Sequence, residues 1–514
     1  MISAIISRRL AGPFMASALG LATLGLGGSA LADGSPLETI GQVIEGAGNE
    51  PTHIIFLHGI RTDARGASFA LQGEICSHIA RGCTGVRRAA SDVLTLGARP
   101  AATFDGQPIW RDDQEWNASR PVVDHYVYER PQGGPVIVDE INWWRLSFPI
   151  KCRILVATDS RLAGVDRRTL RLCAALALDN GALVSADDDY HPWLTREQFD
   201  QLGAQRPDGG GAPWANRYLK SEILDWGLSD AVVSLGSTKV EMRETVRCAL
   251  SAIAAFDPAR GDSIATKAPL TPPPLSSAAN VSCERSPTYL RGARFVIVSH
   301  SLGSFMLLDT FAAATGDIRI IDEEERRDGV PTRPAASAAD ELCVGQGAPM
   351  AHAATGSFAK SAQIADLEMQ RMSTRDRYAS LCFVIDNSYN LYFLANQVPL
   401  LEIARIEQAS APADGPIQDT LGEWARLSAQ RAGEAEQIVA FSDPGDILTY
   451  RVPCIANASV TNIAVHNAFR WFGLFENPGP AHTGYFTNSQ VLRTMFGESG
   501  DAAAQAARPP PSCS

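Results

Sequence analysis

No run of lysine or arginine long enough to grip a phosphate backbone occurs in this chain of 514 residues, whose formal net charge is −12. Phosphate binding needs clustered cations, so nucleic acid is not expected as a partner. No two cysteines have the C-x-x-C spacing, which argues against a zinc ribbon or a thioredoxin-like site. Neither a G-x-x-x-x-G-K-[ST] phosphate loop nor an H-E-x-x-H zinc helix occurs, and no metal or cofactor is expected. Past the first 32 residues no apolar stretch is long enough to span a bilayer. There is no internal repeat.

The N-terminus carries a positive signal. Arg8 and Arg9 precede an apolar, small-residue stretch over 15–28, and Ala30-Leu31-Ala32 supplies an A-x-A cleavage site. Residues 1–32 are therefore expected to be a signal peptide, giving a periplasmic or secreted protein that starts at Asp33. Ten cysteines, an even number, permit disulfides in such a protein. Cys76 and Cys83 are close enough for a local bridge. Several of the others read as small buried apolar residues.

Five segments read as short buried strands: 53–59, 294–300, 381–387, 437–443 and 462–467. They are continuous apolar runs rather than alternating ones, as expected of a parallel sheet covered on both faces. Helical stretches lie between them. "LGSFMLLDTFAAAT" follows the second and is expected to stop at Gly316, and "LGEWARLSAQRAGEAEQ" precedes the fourth. The alternation predicts an α/β fold with a mostly parallel central sheet flanked by helices. One domain is expected over 33–500, with insertions at about 61–290 and 322–380 and a disordered tail over 501–514. The first insertion contains a helical run near 216–255 and a Pro-rich linker, 267–277. In the second, 322–362 reads as a loop, with the acidic "DEEER" as solvated surface.

One stretch carries chemistry. "VIVSHSLGSF" (296–305) sets Ser301 between a strand and a helix, where a nucleophile elbow would sit. Ser299 and Gly303, two places before and after, let the chain fold back without side-chain collision. The turn should strain Ser301 and expose its hydroxyl. "VVSLGS" (232–237) lacks this context, because Val232 would clash where the elbow needs a small residue.

A serine hydroxyl needs a base, and the base needs an orienting acid, in the chain order Ser, Asp or Glu, His. Asp446 and His482 follow Ser301 in that order, in loops after successive strands. His466 competes for the base but falls inside an expected strand. Asp443 competes for the acid but precedes Pro444 and could simply begin a turn, while Asp386 reads as a turn or cap residue. An oxyanion hole needs two backbone donors. Leu302, next to the nucleophile, would supply one. Ile60, after "FLHG" (56–59), would supply the other, with Gly59 permitting close approach and His58 orienting the loop.

"FLHGI", "VSHSLGS", "SDPGDILTY" and "AHTGY" together resemble the motifs of the α/β-hydrolase superfamily. The acid loop is similar to that of lipase-like members, in which Asp is followed by two apolar residues and a nearby Pro. The resemblance covers about 51–60, 290–320 and 380–495. It implies a serine hydrolase acting on small-molecule or lipid acyl esters. Thioester or amide hydrolysis and acyl transfer on the same triad are alternatives, as is a non-catalytic binding protein that kept the fold.

Overall fold

The computed structural model describes residues 38–59, 65–78, 86–151, 229–263, 272–283, 292–327, 337–343, 358–408, 417–432 and 436–497, a few positions inside these ranges excepted. The expected signal peptide, the Cys76–Cys83 pairing, the tail and Ile60 lie outside the described residues.

The fold is α/β, built on one mixed, mostly parallel sheet of ten strands. Eight form its body: β1 (Thr52–Leu57), β2 (Val86–Thr95), β3 (Val122–Tyr128), β4 (Val136–Asn142), β5 (Arg294–His300), β6 (Ser388–Leu394), β7 (Glu436–Ser442) and β8 (Ala458–Ala464). Their order in space is β8-β7-β6-β5-β1-β4-β3-β2. From β8 to β4 all neighbours pair in parallel. β3 runs antiparallel to both of its neighbours. Two short strands, Asp262–Ser263 and Ala279–Ser282, pair with β2.

Side chains alternate across the sheet, so each strand feeds two cores. Ile55 and Leu57 of β1 and Phe295 and Ile297 of β5 pack with the helices Lys239–Ala254, Leu302–Arg327, Phe358–Asp386 and Ile417–Ala432. Ile54, Phe56, Val296 and Val298 point the other way, onto the helices Ile40–Gly46, Phe69–His78 and Ser489–Phe496. Burial on both faces explains why β1 and β5 read as unbroken apolar runs.

Several expectations need correction. The stretch 61–290 is no insertion outside the core, because β2, β3 and β4 complete half of the sheet. All seven positions of β3 and of β4 are buried, yet both carry charged residues, including Asp124, His125, Asp139 and Glu140. Those charges hid them from an apolar-run criterion. The segment 381–387 is not a strand. Tyr378, Leu381, Cys382 and Ile385 recur at helical spacing, and this stretch ends the helix Phe358–Asp386. The strand is the next segment, β6. Gly316 does not stop its helix, which runs on to Arg327. The described residues within 322–380 are thus largely helical, with a further short helix at Ala338–Cys343. Asp322 of the acidic run pairs with the buried Arg371 at 2.7 Å rather than facing water alone. The described residues of the run near 216–255 form the helices Ser229–Leu235, which contains Val232, and Lys239–Ala254.

Among the described residues, four of the ten cysteines pair with one another in disulfides, which the even count permits. Cys248 bonds Cys283, joining a helix to the β2 edge, and Cys343 bonds Cys382, joining two helices.

The charged residues inside β3 and β4 are satisfied by one another and by partners from other strands and loops. Asp139 accepts from His53 Nδ1 at 2.8 Å and from His125 Nδ1 at 2.6 Å. His125 Nε2 faces Asp92 at 3.3 Å, and Arg260 closes the chain on Asp92. Burial works against a charged ring, but the two carboxylates outweigh it and raise His125 to about 9. This folded value lies above the unfolded one, near 6.5. The stabilisation is therefore complete below pH 6.5 and is lost as pH rises toward 9. Urea unfolding at pH 6.5 and 9.5 should differ by about 3 kcal/mol in favour of the lower pH. In His125→Gln the difference should shrink. Equal stability of the parent at both values would contradict the assignment.

Candidate active site

The chain changes direction in the sheet at β1. From β1 it leaves for the β2 edge and returns through β3 to β4. It then passes to the far side of β1 as β5 and continues outward through β6, β7 and β8. The crevice beyond the carboxyl ends of β1 and β5 is thus the switch point, where open α/β sheets place ligands. Leu57 and Ser299 are register partners across it.

Ser301 occupies that crevice. β5 ends at His300 and a helix begins at Leu302, so the single residue between them makes the turn. Its φ is +55°, left-handed backbone for a non-glycine residue. That costs roughly 1–2 kcal/mol. Ala395, at the end of the neighbouring β6, has φ +52°. The Ser301 amide donates to the Leu394 carbonyl at 2.8 Å, which pins the turn to β6.

Two glycines make the tight approach possible. A Cβ on Gly303 would lie 2.3 Å from the Leu57 carbonyl oxygen, and one on Gly59 would lie 2.3 Å from Ser301 Cβ. Ser299 sits fully buried, with its hydroxyl 2.9 Å from that of Ser304. A larger residue there would displace that contact.

Ser301, His482 and Asp446 form one hydrogen-bonded chain. His482 Nε2 is 2.9 Å from Ser301 Oγ, and His482 Nδ1 is 2.8 Å from Asp446 Oδ2. With Asp446 accepting from Nδ1–H, Nε2 of a neutral ring is left to accept from the serine hydroxyl. His482 lies in a short helix, Pro478–Thr483, rather than in an open loop. Asp446 sits in the loop after β7, where its Oδ1 accepts from the Leu448 amide at 3.0 Å. Three elements far apart in sequence thus converge on one proton path.

The expectation of an exposed hydroxyl is not met. Ser301 has no accessible surface, and His482 and Asp446 have 7% and 4%. Gly59 lies directly against the serine, and the His482 ring closes the other side.

The competing residues fall elsewhere. Asp443 is buried and holds the loop: Oδ1 accepts from the Gly445 amide at 2.8 Å, and Oδ2 accepts from the Asn467 amide. His466 lies past the end of β8 rather than inside it, 4.0 Å from Asp443, with 57% of its side chain exposed. Asp386 ends a helix at the amino end of β6, across the sheet from the crevice.

Of the two expected oxyanion donors, Leu302 is buried at the first helical position, where amides have no intrahelical acceptor. Glu140 of β4 holds the chain on the far side of Ile60. Its carboxylate accepts from the amides of Gly66, Ala67 and Ser68 at 2.6, 3.1 and 3.0 Å. On the near side, His58 Nδ1 donates to the Gly59 carbonyl at 3.1 Å, consistent with an orienting role. Trp143 stacks on the His58 ring and donates its indole N–H to the His58 carbonyl at 2.9 Å. Burial lowers His58 to about 4, so it is neutral near pH 7.

Two supporting residues were not singled out from sequence. His300 donates from Nε2 to the His482 carbonyl at 2.9 Å. Burial first, then the neighbouring His482, lowers it to about 3, so it is an uncharged strut. The Tyr485 hydroxyl accepts from the Asp443 amide at 2.8 Å and donates to Asp446 Oδ2 at 3.3 Å, tying both acids together. Both residues stand inside the motifs "VSHSLGS" and "AHTGY". Nothing in a single sequence says which neighbour of a motif residue supports it.

Among the described residues no cluster of His, Cys, Asp or Glu could hold a metal ion, and no helix is long and apolar enough to cross a membrane. Compared with known protein families, curated proteins and solved structures, the chain matches none.

Proposed function

We propose that the protein is a serine hydrolase of the α/β-hydrolase type, an exported carboxylesterase or lipase acting on small-molecule or lipid acyl esters. The observation that carries this reading is the unbroken Ser301–His482–Asp446 hydrogen-bond chain, at a strained strand-to-helix turn. Supporting residues hold every member of it, which a residual fold without turnover would not require. The disulfides Cys248–Cys283 and Cys343–Cys382 suit an oxidising compartment and so favour export.

In the reaction, Ser301 Oγ attacks the acyl carbonyl carbon as its proton moves to His482 Nε2. Asp446 holds Nδ1–H, fixes the tautomer and stabilises the imidazolium that forms. The amides of Leu302 and Ile60 stabilise the oxyanion, helped by the amino terminus of the helix at Leu302. His482 then gives the proton to the leaving alkoxide, which departs as the alcohol. The acyl group stays on Ser301. A water molecule, deprotonated by His482, attacks the acyl-enzyme and releases the acid.

The test is hydrolysis of a p-nitrophenyl acyl ester series by purified protein. Saturable turnover, abolished in His482→Ala, is expected. No turnover on any chain length, with thioesters and anilides also inert, would overturn the reading.

A further inference from the structure

A second candidate site lies at the outer strand β2 of the sheet. Beyond the carboxyl end of β2 the chain makes an excursion before returning as β3, and this excursion walls a cavity of about 320 Å³. Arg99, Asp113, Trp116 and Arg120 line it. It sits on the same edge of the sheet as Ser301. β3, β4 and β1 intervene before β5, a span of roughly 19 Å at ordinary strand spacing.

The unusual member is Arg120. Its guanidinium has no hydrogen-bond acceptor and no carboxylate partner among the described residues, and its Nε is buried and unpaired. The residue as a whole is half-buried, and that partial burial pulls its pKa down. A buried donor left unpaired is costly, and native proteins rarely leave one. An anion in the cavity would remove that cost.

The surroundings favour an anion and hold the walls still. Arg99 lines the cavity beside it, with NH1 committed to the Trp110 carbonyl at 2.8 Å. Among the described residues the one carboxylate lining the cavity is Asp113, which meets Arg99 Nε at 3.2 Å. That side chain is 84% exposed, so the pair is weak and yields to a better acceptor. Arg145, behind the wall, donates to the carbonyls of Arg120 and Ala118 at 3.0 and 2.9 Å. It fixes the backbone that carries Arg120 and adds a third guanidinium nearby. The Trp116 indole donates to the Gly97 carbonyl at 3.2 Å, clamping one wall to the other. In a chain of net charge −12, three arginines grouped this way run against the average.

We propose that this cavity binds a small ligand through a carboxylate or phosphate group, gripped by the Arg120 guanidinium with Arg99 beside it. A planar guanidinium matches the two oxygens of either group, which an ammonium does not. The ligand is either a free small anion or an acidic group on an extended substrate held at Ser301.

Binding of inorganic phosphate and of citrate to the full protein, followed by calorimetry, tests the proposal without reference to hydrolysis. One-to-one saturable binding of at least one of them is expected. Arg120→Ala should weaken it at least about tenfold, and Arg120→Lys should recover only part of the loss. The ligand-free melting temperature of Arg120→Ala should match or exceed the parent's, since the guanidinium has no partner to lose and its unpaired donor is removed. Turnover of a neutral short-chain ester should also be unchanged. Competition by citrate against an ester with a terminal carboxylate, but not against the neutral ester, would assign the site to the substrate. Competition against neither would assign it to a separate ligand. Saturable binding of neither anion, or equal affinity in Arg120→Ala, would overturn the proposal. So would a clear drop in its ligand-free melting temperature, which would make Arg120 a structural residue.

Discussion

Ser301→Ala is expected to lower ester hydrolysis by several orders of magnitude while leaving the protein folded. The nucleophile would be gone, and the base and oxyanion donors alone retain only residual catalysis. The structural cost is small for a stated reason. Ser301 is fully buried, but its side chain makes one hydrogen bond, to His482 Nε2. Losing it costs about 1 kcal/mol. The backbone strain at φ +55° is the same for alanine as for serine. Glycine removes that strain, so Ser301→Gly should be equally inactive but more stable than Ser301→Ala by about 1 kcal/mol. Thermal melts and ester turnover on the same preparations read both quantities. A folded, fully active Ser301→Ala would show that the turn holds no nucleophile.

Asp446→Asn is expected to cost about four decades in kcat, because an amide facing His482 Nδ1 favours the wrong tautomer. Asp443→Asn should behave differently. Asp443 lies in the same loop, but its oxygens accept from the Gly445 and Asn467 amides rather than from His482. Its replacement should lower the melting temperature while kcat falls far less. The contrast separates orienting the base from holding the loop, although the two residues are linked by the Tyr485 hydroxyl and by the Asp446 amide, which donates to the Asp443 carbonyl at 3.0 Å. Measuring kcat and melting temperature for both variants decides it. The reverse ranking would transfer the role of the acid to Asp443.

The site was more legible in the sequence than the sheet around it. The elbow depends on local features, an apolar strand, two small residues and a helix start, and these are written within ten positions. The acid and base could be ranked by position in the chain, because loops after successive strands open onto one edge of a parallel sheet. What failed has a physical origin. β3 and β4 are buried on both faces yet carry Asp124, His125, Asp139 and Glu140, whose partners come from other strands and loops. A pattern criterion reads such charges as exposed, and the pairing that permits their burial is a tertiary fact. The segment 381–387 failed differently. Its five apolar residues, Leu381 to Ile385, fit a strand or the end of a helix equally well, and only the preceding turns of the helix Phe358–Asp386 decide between them. The burial of Ser301 was also out of reach, since it depends on Gly59 and His482 arriving from 242 and 181 positions away.

Labelling with an active-site fluorophosphonate tests the central claim most directly. The reagent phosphonylates a serine only where a base activates the hydroxyl and an oxyanion hole receives the developing charge. Mass spectrometry of the digested protein should find one adduct, on the peptide that carries Ser301, formed by the parent and not by His482→Ala. No adduct, or an adduct on another serine such as Ser234 with Ser301 unmodified, would contradict the account.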